Sequence, residues 1–325
     1  MFFGTSGSMP TAQRAPTALL VRRGGERLLF DCAEGTQRQM LRSNVGLLEL
    51  REIFISHFHA DHYLGLPGML KTFALRGREL PMTIYGPPGL AELFAAMRRI
   101  FGKLTYPVDL VELRPGDRLE RDGYALVTFA VHHGVSSVGY ALVESPRPGR
   151  FDVEAADALG VSPPERGKLQ RGEAVDVGGR VVAPGEVLGA DRPGRKLVLA
   201  GDTAPSPVVA AAAQGADVLV HEATFLEDER DRAHETLHST AAEAAEIARE
   251  ADVALLALTH LSNRYFGQEV ANEAREIFPE TVVPRDFDVI EIPFPERGAP
   301  QLVKGGARRQ KEDLPVADAV SSPAP

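Results

Sequence analysis

The chain contains a single cysteine, Cys32, among its 325 residues. One cysteine excludes an internal disulfide framework and fits the reducing cytoplasm, which is the compartment we expect. It also means that any metal site must be built from histidine, aspartate and glutamate. No apolar run approaches the roughly 18 residues that span a bilayer, and the N-terminus lacks the basic start and apolar stretch of a secretory signal. We therefore expect no membrane partner.

An excess of positive charge is also missing. The chain has 36 Lys and Arg against 45 Asp and Glu, which gives a formal net charge of −9. This balance argues mildly against a nucleic-acid partner, because backbone phosphates call for a basic footprint, although a local patch can override it. Hydrophobic residues make up 44% and charged residues 25% of the chain. These are the proportions of a soluble globular protein, and the length permits one large domain or two ordinary ones.

Apolar patterning predicts an α/β protein. Helical spacing covers Leu64–Ala74 and Leu90–Phe101, and a capping box at Thr240 opens an alanine-rich helix to about Glu250. Short apolar runs predict the strands, which are Ala18–Val21, Arg27–Phe30, Ile53–Ile55, Met82–Tyr85, Tyr124–Val131, Lys196–Ala200, Val218–Val220 and Val253–Leu258. The first two flank a predicted hairpin turn at Arg23–Glu26.

Two segments differ in texture from the rest of the chain. Residues 147–196 are rich in Gly, Pro and charge, with nine Lys/Arg against eight Asp/Glu. We interpret them as an arm that projects from the domain and offers no core of its own. The polar, Pro/Ala-rich stretch 296–325 is predicted to be a disordered tail. The expected organisation is one domain over 1–295 with the arm inserted at about 147–196.

The most informative motif is HFHADH, residues 57–62. It places His57, His59, Asp61 and His62 directly after an apolar strand. Nitrogen and oxygen ligands packed this tightly suit zinc or a similar transition ion better than calcium or magnesium. The alternative is a histidine-rich surface loop, which does not account for four ligand-type residues in six at the end of a buried-looking strand.

Ligand-type residues recur at the ends of several predicted strands. The strand at 53–55 leads to His57, and three others end at His132-His133, at Asp202 and at His260. In layered α/β proteins strand ends meet at one edge, so these positions can converge on one pocket. Together with the rest of HFHADH and one of His132 and His133, these positions offer too many ligands for one tetrahedral ion. The number fits two ions that share a carboxylate, for which Asp202 is the best candidate.

At these residues the chain resembles the metallo-β-lactamase superfamily, whose HxHxDH signature is spelled HFHADH here, and within it the ribonuclease Z family. The matching segments extend through nearly the whole chain: FGTSGSMP (3–10), FDCAEGTQRQM (30–40), HFHADHYLGL (57–66), HGVSSVGY (133–140), GDT (201–203), HEATF (221–225), HST (238–240) and THLSNRY (259–265). The resemblance implies an αββα sandwich, a homodimer, and an endonuclease that cuts the 3′ trailer from precursor tRNA. The expected products are a tRNA 3′-hydroxyl and a trailer 5′-phosphate.

The resemblance also implies the ligand set of two zinc ions, with manganese or another divalent ion as an alternative. One ion takes His57, His59 and His133, the other takes Asp61, His62 and His260, and Asp202 bridges them. His133 is chosen over His132 because the family places this ligand six residues before the glycine that matches Gly139. The same motifs place His221 outside the ligand set, in a supporting role.

Three residues are candidates for the chemical step. Asp61 is expected to orient the nucleophile and accept its proton, and His238 to protonate the departing 3′ oxygen. Glu222 is expected to set the orientation of His238. The alternative for His238 is a solvent-exposed side chain beside a helix cap formed by Ser239 or Thr240.

The arm departs from the family pattern. Members carry a Pro-Pro-Gly-Pro element where this chain reads SPPERG (162–167), followed by a familiar KLQRG. The resemblance implies that the arm grips the body of the tRNA, and the departure bears on that grip alone. Two rival hypotheses are a hydrolase of small phosphodiesters, cyclic nucleotides, lactones or thioesters on the same scaffold, and a metal-free binding protein that has lost catalysis.

Overall fold

The computed structural model describes residues 1–47 and 50–305 and contains two large sheets. The first sheet has six strands in the order β1 to β6, of which β1–β2 and β2–β3 pair antiparallel and the rest parallel. Its strands are β1 Phe2–Gly4, β2 Ala18–Arg23, β3 Glu26–Phe30, β4 Glu52–Phe54, β5 Met82–Gly86 and β6 Val108–Glu112. The predicted hairpin is confirmed: β2 and β3 join at Gly24, whose φ of 55° favours glycine.

The second sheet has seven strands in the order β15-β14-β13-β12-β9-β8-β7. The strands from β12 to β15 are parallel, and β9, β8 and β7 continue the sheet antiparallel. They are β7 Arg118–Arg121, β8 Tyr124–Ala130, β9 Val138–Glu144, β12 Lys196–Leu199, β13 Val218–Glu222, β14 Leu256–Thr259 and β15 Thr281–Val282. The pairs β10 Val175–Val177 with β11 Arg180–Val182, and β16 Val289–Glu291 with β17 Gln301–Val303, form separate hairpins.

Helices cover the outer face of each sheet. The helices are α1 Thr36–Arg42, α2 Ala60–Tyr63, α3 Gly65–Leu75, α4 Leu90–Phe101, α5 Val153–Ala158, α6 Pro163–Gln170, α7 Pro207–Ala213, α8 Arg230–Glu235, α9 Ala241–Glu250 and α10 Gly267–Ile277, of which α5 and α6 belong to the arm. One apolar cluster joins the first sheet to α1, α3 and α4, and another joins the second sheet to α7, α9 and α10. A third fills the space between the sheets. The predicted αββα sandwich is confirmed. None of the helices in the described ranges is both long enough and apolar enough to span a bilayer.

Strand β12 shows how one sequence pattern serves two apolar layers. Leu197 and Leu199 pack between the sheets, while Val198 faces the helices on the other side. Successive side chains on a strand point to opposite faces, so a strand buried on both sides is apolar throughout. The parallel strands β4, β12, β13 and β14 therefore lie deep in the fold and end near one another, at the edge where the ligand-type residues follow.

The arm has a small core, which corrects the expectation that it would have none. Six buried aliphatic side chains pack together within it, namely Ala156, Val161, Leu169, Val175, Val182 and Val187. Helix α6 begins within SPPERG (162–167), the segment that departs from the family pattern. The Ser162 hydroxyl and backbone N–H both donate to Glu165. A glutamate at the third helical position that accepts from the N-cap backbone N–H is typical of a helix N-terminus, and the two prolines fit the first turn. The high content of Gly, Pro and charged residues in the arm did not predict these helices or this core.

The first part of the predicted disordered tail has regular structure. Residues 296–305, expected to be disordered, contain β17, which pairs with β16. The carboxylate of Glu296 is bound by two arginines of the arm, Arg147 and Arg192. These contacts link the segment to distant parts of the chain, which composition alone does not reveal. Residues 306–325 of the predicted tail lie outside the described residues.

Candidate metal centre

Seven ligand-type side chains from distant parts of the chain meet at one edge of the two sheets. The HFHADH segment follows β4, and His133 lies in the loop between β8 and β9. Asp202 follows β12 and His260 follows β14. The predicted convergence of strand ends is therefore present in the fold.

One group consists of three histidines. The ligand atoms of His57, His59 and His133 lie within 4.8 Å of one another. The His59 Nδ1 atom is 3.1 Å from His57 Nε2 and 3.0 Å from His133 Nε2. His57 and His133 are buried, whereas His59 is exposed. This group is thus open to solvent on one side.

A second group contains Asp61, His62 and His260. The Asp61 Oδ2 atom lies 3.2 Å from His260 Nε2 and 3.6 Å from His62 Nε2. Asp202 lies between the two groups: its Oδ2 atom is 3.2 Å from His260 Nε2, 3.3 Å from His62 Nε2 and 3.8 Å from His57 Nε2. One carboxylate oxygen therefore faces imidazoles from both groups, as a bridging ligand requires.

The donor set fits transition-metal ions. Ligands on a tetrahedral zinc ion, each at ~2.0–2.1 Å, are about 3.3 Å apart, and the spacings within both groups are close to this value. The buried His62 Nε2 has no hydrogen-bond partner among the described residues, although the two neighbouring carboxylate oxygens are near. A buried polar atom without a partner is costly, and a bound cation would satisfy it.

Four of the imidazoles are oriented by hydrogen bonds to Nδ1, the ring nitrogen that points away from the cluster. These contacts join His57 Nδ1 to Ser56 Oγ (3.0 Å), His62 Nδ1 to Asp31 Oδ2 (2.8 Å), His133 Nδ1 to the Leu237 carbonyl (3.0 Å) and His260 Nδ1 to Thr224 Oγ1 (2.8 Å). Each contact directs the Nε2 atom toward the centre of the cluster. Such outer partners fix the ring orientation and tautomer of metal-binding histidines.

The pKa values within the cluster reflect burial and crowding. Burial and the neighbouring His62 hold the pKa of His57 well below its usual value, and burial with His133 lowers the pKa of His59. Burial also acts to lower the pKa of His62, but Asp202 and Asp31 outweigh it and raise that pKa well above normal. Because only neutral imidazole binds a metal, a cation that occupies the second group must replace a proton on His62.

His238 and Glu222 form a buried pair beside the cluster. The His238 Nδ1 atom is 2.6 Å from the carboxylate of Glu222. The His238 ring stacks on His260 at 5.4 Å and lies 5.0 Å from His133. Burial acts to lower the pKa of His238, but Glu222 outweighs it and raises the pKa to about 9. The alternative of a solvent-exposed His238 is wrong, because only 12% of the side chain is exposed.

The backbone around the cluster is unusually strained. Four of the six non-glycine residues with left-handed φ in the described ranges lie here: Ser8, Asp31, Leu237 and His260. The Ser8 N–H donates to Asp61 Oδ2 at 2.7 Å. A side chain at the preceding Gly7 would meet the His260 ring at 2.6 Å. Such conformations persist only where surrounding structure enforces them, and they are concentrated at functional sites.

The structure separates the two neighbouring histidines of the loop after β8. His133 joins the cluster, whereas His132 forms backbone contacts with Thr203 and Ala204. His221, expected to stand outside the ligand set, is buried with its Nδ1 bonded to the Glu222 carbonyl. All seven proposed ligands, together with His238 and Glu222, are brought into one region.

Sequence reasoning missed the residues that orient the histidines. Asp31 directly follows β3, so extending the strand-end pattern to that strand would have found it. Thr224 lies inside HEATF, where the sequence analysis assigned roles to His221 and Glu222 and none to Thr224. The Leu237 contact uses a main-chain carbonyl, which no side-chain pattern reveals. Ser56 precedes His57 and carries no distinguishing signal.

Comparison with known proteins identifies the family. Residues 26–261 match the family model described as a β-lactamase superfamily domain. Ribonuclease Z of Methanosarcina acetivorans is 46% identical over 299 residues, covering 90% of this chain and 97% of that protein. Ribonuclease Z of Myxococcus xanthus is 47% identical over 299 residues, with the same coverage of both chains. These similarities extend far beyond the metal-ligand motifs.

Solved structures agree with this assignment. Human tRNase Z, short form, is 27% identical with a TM-score of 0.67, and the match covers 90% of this chain and 98% of that one. A metallo-β-lactamase fold protein from Bacillus subtilis, 19% identical with a TM-score of 0.64, shares the fold over 88% of this chain and 95% of its own. The chain belongs to the ribonuclease Z family of the metallo-β-lactamase superfamily.

Proposed function

We propose that the protein is a metal-dependent endoribonuclease that cuts the 3′ trailer from precursor tRNA, leaving a 3′-hydroxyl on the tRNA and a 5′-phosphate on the trailer. The observation that carries the proposal is the combination of 46% identity to ribonuclease Z over 90% of the chain with a cluster of ligand-type side chains beside the hydrogen-bonded His238–Glu222 pair. Family membership indicates the substrate, and the cluster supplies the chemistry.

In this proposal the cluster would hold two divalent ions, zinc or alternatively manganese. His57, His59 and His133 would hold one ion, Asp61, His62 and His260 would hold the other, and Asp202 would be shared between them. When bound, such ions offset charge on the scissile phosphate and lower the pKa of water toward about 7. The spacing of the donor atoms and the unpartnered His62 Nε2 support this assignment.

Asp61 is proposed to orient the attacking water and accept its proton. Its Oδ2 atom is fixed by the Ser8 N–H and lies beside His260 Nε2. The side chain is thus held in one position, and 12% of its surface remains exposed. A general base needs this combination of fixed geometry and access to the substrate.

His238 is proposed to protonate the departing 3′ oxygen. Glu222 occupies the Nδ1 side of the ring, which leaves Nε2 as the nitrogen that can face the substrate. Glu222 is itself fixed by the Thr203 N–H at 2.8 Å and by the Thr224 hydroxyl. The carboxylate therefore sets both the orientation and the charge of the imidazole, as in other acid–base pairs.

Three further parts of the proposal rest on the family resemblance. The arm is proposed to contact the body of the tRNA, and its nearly balanced charge differs from the acidic remainder of the chain. The protein is proposed to act as a homodimer. Its proposed compartment is the cytoplasm, where a buried, unoxidised Cys32 is the expected state.

The test is cleavage of a precursor tRNA that carries a 3′ trailer, with the cut site and end groups mapped. We expect one cut after the unpaired discriminator base, which a chelator suppresses. His133→Ala should abolish cleavage and lower the bound metal, whereas His132→Ala, one residue away, should retain both. Hydrolysis of a small phosphodiester without any cut in precursor tRNA would contradict the proposal, as would equal effects of the two variants.

A further inference from the structure

The stem of the arm is narrow. The chain leaves the body after β9 and returns before β12, and the two connecting segments run antiparallel. Arg147 and Arg192 exchange two backbone hydrogen bonds of 2.8 Å, and Gly189 N–H donates to the Arg150 carbonyl at 3.0 Å. These backbone bonds join the two segments of the stem to each other, so contacts from outside the arm can set the angle between the arm and the body.

A segment near the C-terminus supplies such contacts. Glu296 accepts two hydrogen bonds from Arg147, both 2.9 Å long, and one from Arg192 at 3.0 Å. The Arg147 guanidinium lies 3.5 Å from the centre of the Phe294 ring, and that of Arg195 lies 4.4 Å from it. The paired carboxylate and the cation–π contacts are directional, so they fix geometry as well as charge.

These contacts neutralise a repulsion within the stem. Arg147 and Arg192 are directly paired residues on neighbouring strands, a position where like charges are destabilising. The carboxylate of Glu296 lies between their guanidinium groups and is only one-quarter exposed. The compensating charge thus comes from the C-terminal segment and not from the arm.

The same segment is attached firmly to the body. Ile290 and Ile292 pack against the core between the sheets. Arg195, near the end of the arm, donates to the Ile292 carbonyl at 2.9 Å. Further upstream, the chain contacts β1 at the edge of the first sheet: the Phe2 N–H donates to the Asp288 carbonyl at 2.9 Å, and the Phe287 N–H donates to the Phe2 carbonyl at 2.6 Å. The segment therefore connects a fixed body to both strands of the stem.

We propose that residues 292–297 form a latch that sets the angle of the arm, with Phe294 and Glu296 as positioning residues for the tRNA. The consequence for tRNA rests on the function proposed above. Neither side chain belongs to the metal centre, so the latch acts on the binding of a substrate large enough to reach the arm. A small substrate that contacts only the metal centre does not depend on it.

The test compares two substrates, one disruptive double variant and two control variants. Phe294→Ala combined with Glu296→Gln should raise KM for precursor tRNA by about tenfold and change kcat less than about twofold. Hydrolysis of bis(p-nitrophenyl) phosphate should stay at the wild-type rate. Phe294→Tyr should restore tRNA binding when Glu296 is intact, since the ring is retained. Glu291→Gln, which removes a carboxylate from β16, is the matched control and should resemble wild type.

Hydrogen exchange of the stem provides a readout that does not require tRNA. Amides of residues 147–152 and 187–192 should exchange faster in the double variant, while those of β12 to β14 remain unchanged. Unchanged stem exchange, or equal losses on both substrates, would overturn the latch. If the wild type fails to cut precursor tRNA, the proposed function fails, and stem exchange still decides the latch.

Discussion

The metal centre and the arm are assembled from the sequence in opposite ways. The seven proposed ligands span residues 57 to 260 and come together only because the ends of several strands meet at one edge. The arm is one contiguous segment with a core of six aliphatic side chains. Its helices and hairpin are formed by residues close in sequence.

This contrast shows which parts of the molecule depend on the complete fold. Three imidazoles of the metal centre are held by partners from distant segments: His62 by Asp31, His133 by the Leu237 carbonyl and His260 by Thr224. The fold of the arm depends on its own aliphatic core and on the backbone pairing in its stem. Changes at the metal centre should therefore affect the chemical step and metal binding. Changes in the arm should affect the binding of a large substrate.

The largest expected effect is at the metal centre, from His238→Asn. Asparagine can still donate to Glu222 but cannot transfer a proton, so cleavage of precursor tRNA should fall by about 100- to 10,000-fold. Hydrolysis of bis(p-nitrophenyl) phosphate should fall by less than about tenfold, because p-nitrophenolate leaves without protonation. Metal content should match wild type. Equal losses on both substrates would contradict the role of His238 as proton donor.

A matched pair of leucines tests whether the arm is an independent unit. Leu70 in the body and Leu169 in the arm are both fully buried, and Leu→Ala at either site should cost about 2–5 kcal/mol locally. Leu70→Ala should lower the melting temperature of the whole protein. Leu169→Ala should instead increase hydrogen exchange in residues 152–188 and leave the body unchanged. A comparable loss of global stability in both variants would show that the arm and body unfold together.

Asp31 is not a proposed ligand but orients one. Asp31→Asn should weaken metal binding by about 10- to 100-fold. The substitution removes the carboxylate that orients His62 and holds Ser56 by two hydrogen bonds. Competition with a chromogenic chelator measures the affinity, and circular dichroism verifies the fold. Metal affinity equal to wild type would limit Asp31 to a structural role.

The layers of the fold could be predicted from the sequence because they follow from local patterns. Seven of the eight predicted strands agree with the structure within two residues, and the capping box at Thr240 marked the start of α9, whereas strands such as β6, β7 and β9 were not predicted. The strand between 253 and 258 starts later than predicted, at Leu256, because residues preceding it form a turn after α9. The meeting of strand ends then predicted the convergence of the site.

The features that escaped prediction have no recognisable pattern in the sequence. A stabilising carboxylate such as Glu296 gains its role from arginines about 100 and 150 residues away. The left-handed conformation of Asp31 and the carbonyl of Leu237 are properties of the backbone. The arm core was missed because its six aliphatic residues are dispersed among glycine, proline and charge, so their mutual packing has no clear period in the sequence.

The smallest expected effect concerns Glu144, which joins the arm stem to the body through Arg23 and Arg195. Burial acts to raise its pKa, but hydrogen bonds from both arginines outweigh this and lower the pKa from 4.5 to about 2. Its contribution to stability is therefore complete above pH 4.5 and is lost as the pH falls toward 2. Urea unfolding of metal-free protein should show Glu144→Gln destabilised at pH 7 and closer to wild type at pH 3. A difference independent of pH would mean that Glu144 contributes through packing and not through its charge.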